Sequence, residues 1–316
     1  MHNLLTIDVE DWFHTSALDP YIGPEQWEAL ESRVVPNVRQ LLEILEFYQV
    51  KATFFVLGWV AERYPHLVQE IYAAGHEIAS HGYRHRLIYK LSQETFRDYV
   101  RCSKQILEDL TGQEVLGYRA TSFSIVNSTL WALDVIKEAG FVYDSSMFSI
   151  KHDIYGIDGF PRFPFVHDNG LIELPPSTVK MLGRNIPIAG GGYFRLFPYW
   201  LTRRGIHSLN QAGHPAMVYL HPWELDPDCP RVQQADTRTR FRQYVNLNKT
   251  EGRLRRLLSD FQFGPVRDYI ESFAEERSRQ DAKTPSRNRS QGLKLCLGNP
   301  SDIWSFSFKI TTNCLY

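Results

Sequence analysis

The sequence of 316 residues has few cysteines, no long apolar run and almost no net charge. Its four cysteines contain no Cys-x-x-Cys spacing, which argues against a zinc knuckle or a disulfide framework; they are Cys102, Cys229, Cys296 and Cys314. No segment reaches the ~18 consecutive apolar residues that a membrane span requires. The first residues lack the features of a signal peptide, so we expect a cytoplasmic protein that does not span a membrane.

The balance of basic and acidic residues indicates which binding partners are expected. The chain has 35 basic and 36 acidic residues, which give a formal net charge of −1. A protein that binds a phosphate backbone needs a strong positive field, so we do not expect a nucleic-acid partner. The hydrophobic fraction of 43% over this length is enough for a substantial core, and we expect one catalytic domain.

Two histidines four residues apart, His81 and His85, follow a short apolar strand pattern that begins after Gly75. Two such side chains bind one metal ion when the backbone between them turns. The same spacing is common among surface and capping histidines, so a metal site needs a third ligand from elsewhere.

Carboxylates near the amino terminus offer that ligand. Leu4–Ile7 has the length of a strand and runs directly into Asp8, Glu10 and Asp11. A cluster of acidic side chains is costly unless a positive group lies nearby. The alternative is a solvated turn that caps the next helix, where aspartate is common.

Two further strand patterns end on polar residues. The pattern over 114–119 ends on Arg119, and the pattern over 216–221 ends on His221, which Pro222 follows. Four strand ends therefore carry carboxylates, two histidines, an arginine and a histidine, in chain order. In α/β folds, sites lie at the carboxyl ends of parallel strands, so we expect these side chains to meet.

Strand and helix patterns alternate through the first half of the chain, which predicts a parallel, barrel-like sheet with helices outside. Helices are expected over 36–48, 60–74, 92–112, 127–140 and 198–211, and strands over 51–58, 115–119 and 141–146. Residues 147–200 are rich in Pro, Gly and aromatic residues and predict an irregular rim. Residues 238–258 are basic and helical in pattern. Their basic side chains either form a solvated face or line a groove for an anionic polymer.

Several of these segments together resemble the polysaccharide deacetylases that share the NodB homology domain, carbohydrate esterase family 4. The resemblance covers about residues 1–225 and is strongest to the deacetylases of exosortase and PEP-CTERM exopolysaccharide loci, whose second half is similar to residues 226–270. It rests on the segments 6–13, 81–85, 118–124, 190–195, 220–224 and 244–249. It implies a distorted (β/α) barrel.

The resemblance also implies roles. Asp8 is expected to be the general base, His221 the general acid and Arg119 the group that holds the base carboxylate, and Asp144 is expected to orient His221. His81 and His85, with one carboxylate, are expected to bind one divalent ion, zinc foremost, which lowers the pKa of a bound water molecule.

One departure from the family pattern concerns the metal carboxylate. Most members have two adjacent aspartates, whereas Val9 follows Asp8 here, so the ligand is either Glu10 or Asp11. Glu10 shares a strand face with Asp8 because side chains alternate along a strand. Asp11 has the residue type that the family prefers, and the sequence leaves both open.

The expected function is metal-dependent removal of N-acetyl groups from an amino-sugar polysaccharide or its precursor in exopolysaccharide biosynthesis. An allantoinase-like amidohydrolase and a non-catalytic carbohydrate-binding relative are the alternatives; the latter is expected to lack Asp8 or His221, and both are present. We expect a deacetylase barrel over 1–225, an extension packed on it over 226–272, and a disordered or atypical tail over 273–316.

Overall fold

The computed structural model describes residues 2–152, 155–188 and 190–283. Its strands in these ranges are β1 (Asn3–Val9), β2 (Thr53–Val56), β3 (Glu77–Ser80), β4 (Gly117–Tyr118), β5 (Tyr143–Asp144), β6 (Phe165–Val166), β7 (Ile172–Glu173), β8 (Thr178–Met181), β9 (Arg184–Pro187), β10 (Met217–Leu220) and β11 (Phe263–Gly264).

Helices separate β1 to β5 from one another, and further helices follow β9. They are α1 (Val34–Phe47), α2 (Gly58–Arg63), α3 (Pro65–Ala73), α4 (Gln93–Thr111), α5 (Ala132–Glu138), α6 (Gly191–Leu196), α7 (Tyr199–Gln211), α8 (Thr237–Tyr244), α9 (Leu247–Asp260) and α10 (Val266–Lys283). Short 3-10 helices lie in several connections. Within the described part of the chain, no helix combines the length and the apolar character of a membrane span.

Seven parallel strands form one curled sheet in the order β10, β1, β2, β3, β4, β5 and β7, and β6 adds an antiparallel edge. β11 pairs in parallel with the start of β1, and β8 and β9 form a separate hairpin. Among the described strands, β10 pairs with neither β6 nor β7, so the sheet is an open, distorted (β/α) barrel. The predicted fold class is confirmed.

Alternate residues of β1 face opposite sides of this sheet. Leu5, Ile7 and Val9 belong to the large apolar cluster that the surrounding helices cover. Leu4 belongs to a second, smaller cluster, whose members include Phe55 and Met217 on the two neighbouring strands. Because side chains alternate along a strand, Asp8 lies on the same inner face as Leu4.

Local signals in the sequence explain α4. The Ser92 side chain accepts a hydrogen bond from the backbone N–H of Thr95, as expected of an N-cap. The helix ends at Gly112, whose φ of 66° is accessible to glycine at little cost. The prediction of a helix bounded by Ser92 and Gly112 is confirmed.

Two long helices expected from the sequence are each divided in the structure. The helix predicted over 60–74 breaks between α2 and α3, where Tyr64 has φ −129° and ψ 59°. A residue before proline is disfavoured in the helical region, and Pro65 follows Tyr64. The basic helical segment breaks at Asn246, which adopts a left-handed conformation between α8 and α9.

The expected irregular rim over 147–200 contains short regular elements. β7 extends the parallel sheet beside β5, and the β8–β9 hairpin lies in the same stretch. Most of these strands are two to four residues long, which explains why no clear alternation of apolar and polar residues marks them in the sequence.

The start of α10 closes the floor of the barrel. Val266 and Ile270 join the inner apolar cluster, and the Val266 N–H donates to Thr53 Oγ1 at 2.7 Å. Residues up to Phe273 form one compact unit, and the predicted boundary at 272 falls inside α10, which continues to Lys283. The rest of the predicted tail lies outside the described residues.

Candidate active site and metal centre

Asp8 and Arg119 form a buried ion pair on the inner face of the sheet. Arg119, which directly follows β4, donates from Nη1 to Asp8 Oδ1 at 2.6 Å and to Thr6 Oγ1 at 2.9 Å. The two charged residues are 0% and 2% exposed. Each charge compensates the desolvation of the other, and the pairing fixes the Asp8 carboxylate.

The Arg119 guanidinium is itself held on several sides. Its Nε and Nη2 donate to the carbonyl and the hydroxyl of Ser145, at 3.2 and 2.9 Å. The guanidinium also lies over the Phe55 ring, 4.1 Å from the centroid. The guanidinium group is therefore held in one position, and its charge stabilises the ionised Asp8 carboxylate.

Glu10, His81 and His85 form the candidate metal centre. Each offers a ligand atom, and these atoms lie within 4.8 Å of one another in a buried position. His85 Nε2 lies 2.8 Å from Glu10 Oε2, and His81 Nε2 lies 3.9 Å from the same oxygen. Gly82, at φ 78°, allows the turn that follows β3. Two imidazoles and a carboxylate are a donor set that binds divalent ions such as zinc.

The orientation of His81 suits a metal ligand. Its Nδ1–H donates to the Arg119 carbonyl at 2.9 Å, which leaves the lone pair on Nε2, the atom that faces Glu10. Burial lowers the pKa of His81 to about 4, so the ring is neutral at neutral pH. Neutral imidazole is the form that binds metal ions.

The Glu10 carboxylate also fits a cation. Oε1 accepts a hydrogen bond from Trp223 Nε1 at 3.3 Å, whereas the buried Oε2 makes no well-aligned hydrogen bond and has His85 Nε2 as a neighbour at 2.8 Å. Burial would raise the pKa of Glu10, but the charges of His85 and His221 outweigh that effect and lower it. A buried, ionised oxygen without a well-aligned donor is costly, and a cation bound between Oε2 and the two histidines would reduce that cost.

Asp11 is engaged elsewhere. Its carboxylate accepts hydrogen bonds from Ser32 Oγ at 2.5 Å and from the N–H groups of Arg33 and Val34 at 3.0 and 3.3 Å. It also caps the 3-10 helix Trp12–His14. Asp11 therefore anchors the loop before α1, and the alternative in which it binds the metal ion is corrected. Of the two carboxylates left open, Glu10 is the one that lies beside the histidines.

His221 directly follows β10 and faces both carboxylates. Its Nε2 lies 3.9 Å from Asp8 Oδ2 and 3.8 Å from Glu10 Oε1. Burial would lower the pKa of His221, but the surrounding carboxylates, Glu10 foremost, raise it to about 9. The imidazole therefore carries a proton at neutral pH and can donate it to a leaving group.

Glu224 orients that imidazole. His221 Nδ1–H donates to Glu224 Oε2 at 3.1 Å, and Glu224 Oε1 accepts from Arg195 Nε at 2.6 Å. Arg195 also donates to the carbonyls of Gln243 and Val245, at 3.0 and 3.1 Å. A buried chain of charged groups thus joins His221 to the end of α8 and the segment that follows it.

The expectation that Asp144 orients His221 is wrong. Asp144 Oδ1 accepts from Ser146 Oγ at 2.5 Å, and Oδ2 accepts from the Ser146 N–H at 3.2 Å. Burial and the adjacent Glu173 carboxyl raise the pKa of Asp144 well above its usual value. Asp144 therefore belongs to a buried carboxyl pair, and the Nδ1 of His221 faces Glu224 instead.

The site opens into a cleft of about 520 Å³. Asp8, Glu10 and His221 lie on its lining together with residues from distant parts of the chain. The lining also includes hydroxyl, aromatic and basic side chains, among them Ser16, Tyr155, Tyr193, Tyr219, Arg238 and Phe241. Such a mixture is typical of a site for a polar ligand with apolar ring faces.

Two family models match successive parts of the chain. Residues 28–143 match the polysaccharide deacetylase model, and residues 145–271 match a domain of unknown function (DUF3473). Residues 28–143 belong to the polysaccharide deacetylase family. His81, His85 and Arg119 lie inside the first match, whereas Arg195 and His221 lie inside the second.

Relatives match part of the chain. Over 128 residues it is 32% identical to the peptidoglycan deacetylase-like protein FGM2 of Gibberella zeae, covering 40% of this chain and 37% of that protein. Over 96 residues it is 33% identical to a peptidoglycan-N-acetylglucosamine deacetylase of Bacillus cereus, covering 30% of this chain and 35% of that protein. The chain therefore spans little more than a third of the length of these relatives.

Solved structures share the fold. A protein from Mycobacterium smegmatis, provisionally assigned as a polysaccharide deacetylase, superposes with a TM-score of 0.56 at 21% identity over 92% of this chain and 94% of that one. Puue allantoinase superposes with a TM-score of 0.51 at 17% identity over 81% and 82%. At these identities the likeness establishes the distorted barrel and nothing finer.

Two residues of this deacetylase-family site were missed in the sequence. Glu224 had a local signal, because it lies three residues after His221 in a turn that begins with proline, and that spacing returns its carboxylate to the histidine. Arg195 closes the segment 190–195 that carried part of the family resemblance. Nothing local linked it to Glu224, which lies 29 residues later.

Proposed function

We propose that this deacetylase-family chain is a metal-dependent hydrolase that removes N-acetyl groups from an amino-sugar polysaccharide or its precursor. The observation that carries the proposal is the meeting of Glu10, His81 and His85 beside Asp8 and His221 in one cleft. Amide hydrolysis needs an activated water, a stabilised oxyanion and a proton for the departing amine.

Glu10 Oε2, His81 Nε2 and His85 Nε2 would hold the ion, and we propose zinc because two histidines and a glutamate are a donor set used in catalytic zinc sites. When bound, such an ion polarises a carbonyl and lowers the pKa of water. The chain's own residues supply the remaining steps of the reaction.

Asp8 is the proposed general base. Arg119 occupies its Oδ1, and its Oδ2 faces His221 across 3.9 Å, so Oδ2 is the atom that would take a proton from the attacking water. The fixed cation compensates the buried carboxylate and holds it in one orientation. An oriented base close to the reacting atoms needs no rearrangement before it accepts the proton.

His221 is the proposed general acid. The Glu224 carboxylate favours the protonated imidazole and fixes the ring through Nδ1. Nε2 would donate its proton to the amine nitrogen as the amide bond breaks. The presence of Asp8 and His221 at 3.9 Å supports an enzyme over a carbohydrate-binding relative.

The cleft supports a glycan over a small ureide. Its volume of about 520 Å³ suits a ligand of several sugar rings, whereas an allantoin-sized molecule would fill a small part of it. The two relatives named above are described as a peptidoglycan deacetylase-like protein and a peptidoglycan-N-acetylglucosamine deacetylase, which favours a polymer. The exopolysaccharide setting rests on the motif resemblance, and the cytoplasmic location stays an expectation from the sequence.

The test measures metal content and acetate release together. His81→Ala and His85→Ala should each lose bound zinc and lower acetate release from N-acetylated oligosaccharides by about a thousand-fold or more, since an open site with three ligands retains its ion poorly with two. Asp11→Asn is the matched control, because it changes a neighbouring buried carboxylate that binds the loop; it should keep its zinc. Unchanged zinc in both histidine variants would contradict the proposed site.

A further inference from the structure

Tyr219 lies on the cleft lining, and the chemistry proposed above does not use it. It is the third residue of β10, and its neighbours Val218 and Leu220 both belong to the large apolar cluster under the helices. Because side chains alternate along a strand, Tyr219 faces the inner side of the sheet, as does His221 two residues later. The Tyr219 side chain is 5% exposed, and its ring centroid lies 6.0 Å from that of His221.

The backbone of the glycine run 190–192 packs against the Tyr219 ring. A Cβ atom at position 190 would overlap the ring, and one at position 191 would lie 3.0 Å from the ring and 3.3 Å from the hydroxyl. Gly190 also pairs with Tyr219 through an isolated parallel bridge. The glycines therefore permit a close approach of backbone to this ring. Gly191 lies on the cleft lining, so the hydroxyl beside it reaches the cleft.

Aromatic and charged groups hold the ring on its other sides. The rings of Phe123 and Phe148 lie edge-on to it, with centroids at 5.0 and 6.4 Å. The Arg119 guanidinium, which pairs with Asp8, lies 6.0 Å from the ring centroid. The packing therefore fixes the phenol beside the proposed base, and its hydroxyl needs little ordering before it binds a ligand.

The Tyr219 hydroxyl is a buried donor without a partner. Within the described ranges of the chain, no hydrogen bond involves this hydroxyl. Burial raises the pKa of Tyr219 well above its usual value, and the nearby Tyr193 and Glu224 add to that effect, so the group is a neutral O–H. A buried polar group that lacks a hydrogen bond is costly, which indicates that a bound ligand supplies the acceptor.

We propose that Tyr219 is a further catalytic residue, whose hydroxyl donates a hydrogen bond to the carbonyl oxygen of the substrate acetamide as that oxygen becomes negative. The inference rests on the proposed deacetylase function and deepens it. Asp8 and His221 are assigned to the attacking water and the departing nitrogen, so the carbonyl oxygen is the reacting atom that a third, fixed donor would serve.

The hydrogen bond fits a balanced reaction. The water oxygen bonds to the carbonyl carbon, one water proton passes to Asp8 Oδ2, and the π electron pair of the C=O bond moves to the carbonyl oxygen, which accepts from Tyr219. The C=O bond then re-forms, the C–N bond breaks, and the nitrogen takes a proton from His221 Nε2. Tyr219 keeps its own proton throughout.

Tyr219→Phe tests the hydroxyl, because it removes only that group and keeps the ring. The variant should bind as much zinc as the wild type. Its kcat on N-acetylated oligosaccharides should fall about a hundred-fold, with KM changed by less than about two-fold, because the hydrogen bond strengthens as charge develops on the oxygen. An unchanged kcat, or a loss confined to KM, overturns the proposal.

Tyr199→Phe is the matched control. It also removes the hydroxyl of a mostly buried tyrosine, but that hydroxyl donates to Asp260 Oδ2 at 2.7 Å and is not on the cleft lining. Its kcat should equal that of the wild type. An equal fall in both variants would assign the loss to general destabilisation and overturn the catalytic role of Tyr219.

A second measurement needs no turnover. An oligosaccharide with a methylphosphonamidate in place of one acetamide carries negatively charged oxygen on a tetrahedral centre, and the deacetylated oligosaccharide lacks the carbonyl oxygen altogether. By calorimetry, Tyr219→Phe should bind the analogue at least about ten-fold more weakly than the wild type does and bind the deacetylated product equally well. Unchanged affinity for the analogue, or equal losses for both ligands, overturns the inference.

The two measurements separate this inference from the proposed function. Acetate release by the wild type, with Tyr219→Phe unchanged in kinetics and binding, would remove Tyr219 from the reaction and leave the deacetylase. No acetate release by the wild type, with a loss of analogue affinity confined to Tyr219→Phe, would keep the donor and contradict the deacetylase.

Discussion

The strand ends of the first half and the long connections of the second half contribute to the site in different ways. His81 and Arg119 directly follow β3 and β4, and Asp8 lies at the end of β1, so the register of the parallel sheet positions them. Arg195 and Glu224, by contrast, meet across 29 residues of sequence. The first half supplies the proposed metal ligands, and the second half contacts His221, the proposed acid, and shapes the cleft.

Position in the sheet and position along the chain therefore predict different contacts. Where a side chain ends a parallel strand, its neighbours follow from the strand order. Where a side chain lies on a helix or turn outside the sheet, its partner depends on how that element packs. The contacts in the second half of the site therefore do not follow from the strand pattern.

The largest contrast is expected at His221 and Asp8. Both Asp8→Asn and His221→Ala should keep their zinc and lower deacetylation of acetamides by about a thousand-fold, because each removes a proton-transfer group and no metal ligand. His221→Ala should lose much less on activated aryl acetates, whose leaving group needs no proton. Kinetics on both substrate types measure this difference.

The two rates decide whether His221 acts as the general acid. Equal losses on acetamides and on activated esters would remove His221 as the general acid and assign it to binding or oxyanion stabilisation. Asp8→Asn is the control within this experiment, because a base that activates water is needed for both substrates and its loss should affect them equally.

A smaller effect is expected at Glu224. Glu224→Gln removes a negative charge beside His221, which destabilises the protonated imidazole and lowers its pKa. The basic limb of the pH–rate profile, where His221 loses its proton, should therefore move to lower pH, and kcat should fall about ten-fold with little change in KM. Steady-state kinetics across the pH range measure both quantities.

Asp144→Asn is the matched control for Glu224. It also changes a buried carboxyl group, but one that binds Ser146 and lies beside Glu173. Its basic limb should stay where the wild type has it. A shift of the limb in Asp144→Asn, with none in Glu224→Gln, would reverse the assignment of the residue that orients His221.

Much of the fold follows from local signals. The Ser92 cap, the Gly112 stop and the alternation of strands and helices predicted the barrel, because short connections in a parallel sheet leave few other arrangements. The break before Pro65 also had a sequence signal, the proline itself, but the helical spacing of apolar residues on both sides favoured one continuous helix. The short strands within 147–200 had none, since two-residue strands establish no alternation.

Part of the site was likewise predictable from local signals, and part was not. Asp8, His81 and His85 were predicted to meet because they lie at or after the carboxyl ends of parallel strands of one sheet, and the structure brings all three to one cleft. Sequence spacing could not decide whether Glu10 or Asp11 is the metal carboxylate. The decision depends on the loop at Ser32, which lies 21 residues after Asp11 and whose hydroxyl donates a hydrogen bond to the Asp11 carboxylate.

The site proposed above requires a divalent ion bound by Glu10, His81 and His85. Crystals grown with zinc, measured by anomalous diffraction at the zinc edge, test it most directly. We expect one strong anomalous peak in contact with Glu10 Oε2, His81 Nε2 and His85 Nε2. A peak bound by Asp11 in place of Glu10, or no peak at the two histidines, would contradict the claim.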